Sequence, residues 1–269
     1  MKFIAFITAF IFCLCAEVGF AQNLGGDSKQ PIDISADQAL EWDRKNGRYI
    51  ARGNAKLSQG NVTLFADRLI AFYDKTAKQA GSNLTHIEAE GTVRIVTDRV
   101  NIYADQGTYM LASQKARLTG QNLRMVSDDR YTLTAKEYFE YDAQNQFIRA
   151  VGNATVTQTQ GQETLKTSIL IARLGEVEPG KTSVKRIEAP NAVTITTQNE
   201  KITGNSGTFD VSSNIAKLRG NVQITQGINI LVGERAEVNM NTGTSRLFAA
   251  EDEKGLPGRV RGVFYPQSQ

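Results

Sequence analysis

The chain has 269 residues, 41% of them hydrophobic and 22% charged, a balance that excludes a disordered or collagen-like protein. Its 31 Lys and Arg exceed its 28 Asp and Glu by three, too small an excess for the dense basic stripe of a nucleic-acid binder. Length alone admits one or two domains.

In chain order, residues 1–21 read as a secretory signal peptide, removed by a cut before Gln22. Lys2 is followed by an apolar run from Phe3 to Cys15, and small residues Gly19 and Ala21 precede the cut. The apolar run is shorter than the ~20 residues of a membrane-spanning helix. Both cysteines, Cys13 and Cys15, fall in this segment, so the exported chain is expected to hold neither disulfides nor thiol chemistry. Residues 22–29 read as a flexible N-terminus, 30–248 as the folded body and 249–269 as a C-terminal extension.

The body repeats itself. Residues 87–120 align without a gap to 187–220, with 13 of 34 positions identical, and 41–57 align to 140–156. The phrases "ARGNAKLSQG" (51–60), "AVGNATVTQTQG" (150–161) and "LRGNVQITQG" (218–227) mark the same place in successive copies. Anchor glycines Gly53, Gly120, Gly152 and Gly220 lie 67, 32 and 68 residues apart, a superperiod of about 100 residues. Each follows an aromatic residue by eleven positions: Trp42, Tyr109, Tyr141 and Phe209.

Local patterning is β throughout. Runs such as "VTLFADRLIAFY", "TVRIV" and "NVQIT" alternate apolar with polar residues, and Gly-Asn, Gln-Gly and Asn-Gly pairs interrupt them. The Gly-Asn phrase reads as a turn that feeds a strand once per layer. Short antiparallel strands stacked this way predict an elongated, solenoid-like all-β body. Its open ends would pair with another copy or a partner, and complementary ends would propagate head to tail.

Chemistry-bearing motifs are few. "GEVEPGKT" (175–182) matches the phosphate-loop pattern but lies in a connection between layers, not between a strand and a helix. His86 is the lone histidine and reads as a solvated loop residue, unable alone to form a metal cluster. Asp43, Asp142 and Asp210 each follow a repeat aromatic, and alternation predicts that they face solvent. "KR" (185–186) and "EDEK" (251–254) read as solvated turns. No catalytic residue, metal site or cofactor is expected.

The remaining signal is apolar. Alternation turns Ile32, Ile34, Leu57, Val62, Leu64, Val93, Ile95, Tyr109, Leu111, Phe209, Val211, Val222 and Ile224 inward. An inner trough lined this way, left partly open, is a site for lipid chains, since each buried CH₂ contributes about 0.8 kcal/mol without any polar motif.

"QPIDISADQALEWDRKNGRYIARGNAKLSQGNVTLFADRLIAFY" (30–73) resembles the opening of the OstA/LptA family, through its "QPI" start, "GN" turns, "QG" turn and following "AD". "GTYMLASQKARLTGQN" (107–122) is similar to a later family segment. The resemblance covers most of 30–125, and the internal repeat extends it to about 247. It implies a twisted β-jellyroll of V-shaped section with a hydrophobic interior. It also implies a periplasmic, non-enzymatic carrier that shields the lipid A chains of lipopolysaccharide between the two membranes of a Gram-negative cell. Implied partners are an inner-membrane LptC-like protein, an outer-membrane LptD-like translocon and further copies of the chain, joined end to end. The competing readings are an LptC-like membrane-anchored component, an exported β-solenoid that binds or cleaves polysaccharide, and a structural filament without ligand.

Overall fold

A computed structural model describes residues 31–76, 83–127, 131–158, 163–178, 181–239, 241–242, 244–250 and 258–264. The expected leader, the residues 22–29 and "EDEK" lie outside these. Among the described residues, twenty antiparallel strands form one continuous hydrogen-bonded sheet. Eight are long, at 11–15 residues: β3 (Arg48–Gln59), β4 (Val62–Tyr73), β5 (Leu84–Val96), β6 (Val100–Met110), β11 (Phe147–Gln158), β12 (Thr164–Glu178), β17 (Ile215–Gln226) and β18 (Asn229–Asn239). They are not the uniformly short strands that the turn signals suggested. Each has a break in register partway along; β4 and β5 keep the same neighbours on both sides of it, whereas the other six change neighbour along one edge.

The other twelve are short and join in six pairs across the same break. They are β1 (Asp33–Ser35) with β2 (Ala39–Asp43), β7 (Lys115–Thr119) with β8 (Arg124–Ser127), and β9 (Tyr131–Thr134) with β10 (Tyr138–Asp142). Then follow β13 (Lys181–Ala189) with β14 (Val193–Thr196), β15 (Glu200–Gly204) with β16 (Ser206–Asp210), and β19 (Thr244–Phe248) with β20 (Arg261–Val263). Eight whole strands and six pairs make fourteen V-shaped rungs. One limb of every rung belongs to a first wall, which runs from β2 through β3, β4 and onward to β19. The other belongs to a second wall, from β1 to β20. All the strand pairings run within a wall, so the walls share backbone only along the corner.

The thrice-repeated phrase makes that corner. Gly53–Asn54, Gly152–Asn153 and Gly220–Asn221 all have positive φ, 77° and 45°, 89° and 49°, and 75° and 48°. They interrupt the register of β3, β11 and β17 without ending the strands. The expected turn between strands is therefore a bulge that folds one strand from wall to wall, using the two residue types that best tolerate left-handed backbone. Each corner glycine carbonyl accepts a bond from the preceding rung: from Asp37 N at 2.9 Å, Lys136 N at 2.6 Å and Asn205 N at 2.9 Å. Gly120 marks the same corner, but there the chain leaves the sheet between β7 and β8.

Several smaller expectations change. His86 lies in β5, not in a loop, and its ring stacks on Phe72 at 4.1 Å between centroids, with an interplanar angle of 8°. Lys185 and Arg186 are outward positions of β13, not a turn. Within "GEVEPGKT", residues 175–178 end β12 and residues 181–182 begin β13, paired antiparallel, so the described residues put no helix there to receive a phosphate. Within the expected C-terminal extension, residues 258–264 contribute β20, which pairs with β18 and lengthens the second wall.

Candidate functional site: the inner face

Side-chain size follows the V. Beside the corner, the second wall presents small inner residues, including Ala55, Ala66, Ala104, Ala135 and Ala154, all at most 7% exposed. There the walls are closest, and only short side chains fit between them. One step outward the same wall carries an unbroken cross-strand row. Ile34 pairs with Leu57, Leu57 with Leu64, Leu64 with Ile95, Ile95 with Ile102, and Ile102 with Met125. The row continues through Leu133, Val156, Leu165, Ile195, Ile202 and Ile224 to Leu231.

The first wall faces it with two rows. Nearer the corner, Leu40, Ala51, Leu69, Ala89, Gly107, Leu118 and Phe139 are successive partners, large residues mostly set beside small ones. The outer row begins Trp42, Tyr49, Ala71, Ile87, Tyr109, Ala116 and Tyr141, and later includes Ile187, Phe209 and Ala216. All four repeat aromatics thus stand in one line along the inside of one wall. Burial pushes the Tyr109 hydroxyl up to about 12, and burial, with Tyr109 and Asp142 nearby, raises that of Tyr141 as well. Both phenols stay neutral in this apolar line.

The structure places all thirteen sequence-predicted positions on these inner faces. Leu57, Val62, Leu64, Val93, Ile95, Tyr109, Phe209 and Val222 are buried, at 0–8% exposure. Ile32, Ile34, Leu111, Val211 and Ile224 are half-buried and pack against that core. Sequence reasoning missed the intervening members Ile102, Met125, Leu133, Val156, Leu165, Ile195 and Ile202, although the same period-two alternation marks them and Val156 lies within one of the repeated phrases.

Among the described residues, the interior holds two narrow apolar cavities, of about 40 Å³ and 50 Å³. Ile95, Tyr109, Ala116 and Leu118 line the first; Ile195, Phe209, Ala216 and Leu218 line the second. These sets are 100 residues apart, so the superperiod repeats the lining. Away from the corner, the second wall becomes partly polar: Gln59 and Glu163 are buried and Glu200 half-buried. Burial raises the pKa of both carboxyls. The inner face is thus greasy in its depth and mixed at its mouth.

Both ends leave inner-face or edge apolar side chains uncovered. Leu40 and Trp42 are 57% and 45% exposed on β2 at one end, and Phe248 and Phe264 are 37% and 66% exposed at the other. Trp42 is held in place by Nε1 donating to Tyr73 Oη at 2.9 Å and by the Arg44 guanidinium 3.9 Å above its ring.

The repeat aspartates cap hairpins. Asp43, Asp142 and Asp210 accept bonds from Asn46, Asn145 and Ser213 three residues on. Asp43 and Asp210 retain 23% and 36% side-chain exposure, whereas Asp142 has 1%, against the expectation that it faces solvent. Burial opposes its charge, but the Asn145 side-chain and backbone bonds and Lys115 Nζ at 2.9 Å outweigh it and lower its pKa. Among the described residues, no group of three or more His, Cys, Asp or Glu is placed to hold a metal ion.

The backbone N–H of Ser213, then the Ser212 and Ser213 hydroxyls, hold Asp210 at about 2. A folded pKa below the unfolded value contributes stability that is full above the unfolded pKa near 3.8 and is lost as pH falls through about 2. Asp210→Ala is therefore expected to have a lower urea midpoint than the parent at pH 5, with the gap closing below pH 2. A gap unchanged at pH 2 would assign the loss to packing instead of charge.

Residues 33–138, from β1 to the start of β10, match the family described as LptA/(LptD N-terminal domain) LPS transport protein. A curated protein of Rhizobium meliloti (strain 1021), itself uncharacterised, is 31% identical over 126 residues, 45% of this chain. That match spans 64% of the relative, just under two thirds of its length. Among solved structures, the chain aligns with LptH from Pseudomonas aeruginosa, described as the LptA-homologous periplasmic component of its lipopolysaccharide transport device. The identity is 14% and the TM-score 0.22, over 89% of this chain and 99% of that one. The family match over residues 33–138, set in an all-β body of bent antiparallel rungs, supports an OstA/LptA-like family for this part of the chain.

Proposed function

We propose that this protein is a periplasmic lipopolysaccharide carrier that shields acyl chains between its two walls on the way to the outer membrane. The observation that carries the reading is the uninterrupted apolar row of the second wall, from Ile34 to Leu231, facing the aromatic line of the first. Such a surface takes an amphiphile with its chains deep and its polar head at the mixed mouth. At about 0.8 kcal/mol per buried CH₂, a few methylenes per chain suffice for tight holding without a polar motif.

Cavities of 40–50 Å³ do not admit an acyl chain as they stand, so loading requires the walls to part. The architecture favours opening at the mouth, because only side-chain packing joins the walls there. In this reading the exposed ends, at β1 and β2 and at β19 and β20, pair with an LptC-like protein, an LptD-like translocon or another copy. The leader predicted at residues 1–21 directs export.

The test is a photo-crosslinking residue at Tyr109 or Leu111 in cells making labelled lipopolysaccharide, with Asp43 and Asp210 as outward controls. Adducts should form at the first two and not at the controls. Equal labelling at all four positions would overturn the inner-face reading.

A further inference from the structure

The outer surface carries a second concavity, which meets the core only beside the corner, at Leu123 and Ala135. It is a groove of about 780 Å³, within the range of small-ligand sites, on the back of the second wall beside the corner. Its floor is Thr134 and Thr155, cross-strand neighbours on β9 and β11. Arg124 on β8 and Lys166 on β12 stand on either side, paired across the strands to those same threonines. Three strand spacings of ~4.8 Å separate the two cations, about 14 Å. The short threonines between long cationic side chains are what make the surface concave.

Lys136 adds a third cation at the corner. No carboxylate lines the groove among the described residues. The neighbouring Asp105 carboxylate accepts from Gln121 N at 2.7 Å on its flank. The Arg124 guanidinium lies 4.2 Å over the Tyr103 ring, which fixes it without neutralising it. An anion at the centre would lie about 7 Å from each wall cation, inside the screening length of about 8 Å at physiological ionic strength.

Leu123, Ala135 and Ala192 supply apolar lining, and the remaining side chains are amide and hydroxyl. Gln121, Asn122, Asn153 and Asn191 offer both donors and acceptors, and Asn191 Nδ2 donates to Ser168 Oγ at 2.7 Å, which orients both. Cations alone would suit any anion, and amides alone any polyol. We infer that this groove binds an acidic saccharide, whose hydroxyls meet the amides and threonines and whose carboxylate or phosphate lies between Arg124 and Lys166.

The ligand class is independent of acyl-chain carriage, and the test keeps the two apart. Tetragalacturonate, which has no acyl chain, is titrated into the purified chain by calorimetry and by amide NMR, beside neutral maltotetraose and inorganic phosphate. Saturable binding of tetragalacturonate is expected, with shifts confined to β8, β9, β11 and β12. Affinity should fall at least tenfold in a folded Arg124→Gln/Lys166→Gln variant and stay unchanged in the interior variant Ala116→Phe. Maltotetraose and phosphate should each bind at least tenfold more weakly than the acidic oligomer. Absence of saturable binding, equal affinity in the double variant, or phosphate binding as tight as the oligosaccharide would overturn the assignment.

Discussion

Gly152→Val is expected to cost about 3 kcal/mol of stability or more, a large share of the ~5–15 kcal/mol margin of an ordinary folded protein. Two effects combine. Gly152 has φ +89°, where a β-branched residue is strained by about 1–3 kcal/mol. A Cβ there would also lie 2.8 Å from the backbone nitrogen of Glu137 and 2.7 Å from its Cγ. The Cγ can swing away, but the backbone nitrogen belongs to the preceding rung, whose Lys136 N–H bonds the Gly152 carbonyl. Relief therefore means opening the corner between β10 and β11. Urea unfolding followed by circular dichroism measures the loss. A midpoint within experimental error of the parent would show that the corner is soft and does not set the angle between the walls.

That corner shows where sequence reading succeeds and where it stops. Inward facing was legible because period two is a property of the chain itself: Leu57 and Leu64 alternate with polar residues whatever the tertiary fold. The repeat was legible for a similar reason, since Tyr109 and Phe209 hold equivalent places in rungs 100 residues apart. The bend was not. A Gly-Asn pair at positive φ is compatible with a turn between strands and with a bulge inside one, and only the pairing of both halves of β3, β11 and β17 distinguishes them. Asp142 was misjudged because alternation assigns a face, not a depth. Lys115 and Asn145 close over its carboxylate from a neighbouring strand and the following turn, which no local pattern records. The outer groove escaped for the same reason. Thr134 and Thr155 are ordinary outward strand residues until β8 and β12 place cations on either side of them.

Filling the interior should separate the carrier from its scaffold. In the line of aromatics, Ala116 sits between Tyr109 and Tyr141, and Ala216 sits between Phe209 and Val238. These two alanines help line the cavities of about 40 Å³ and 50 Å³, which do not accommodate a phenyl ring without displacing neighbours. Ala116→Phe and Ala216→Phe are each expected to cost about 1–3 kcal/mol by overpacking, so the single variants should fold. Their effect on an acyl chain is larger in proportion. Excluding two methylenes forfeits about 1.6 kcal/mol at ~0.8 kcal/mol each, more than the 1.4 kcal/mol of a tenfold change. Displacement of a fluorescent lipopolysaccharide should therefore weaken at least tenfold in either variant. Glu188→Phe places the same ring on the outward side of β13 and should leave binding within twofold. The three rings differ in the face of the wall they occupy far more than in bulk. Should both interior variants fold and still bind as the parent does, the acyl chains do not pass through this line of side chains. The apolar rows would then serve only to hold the walls together.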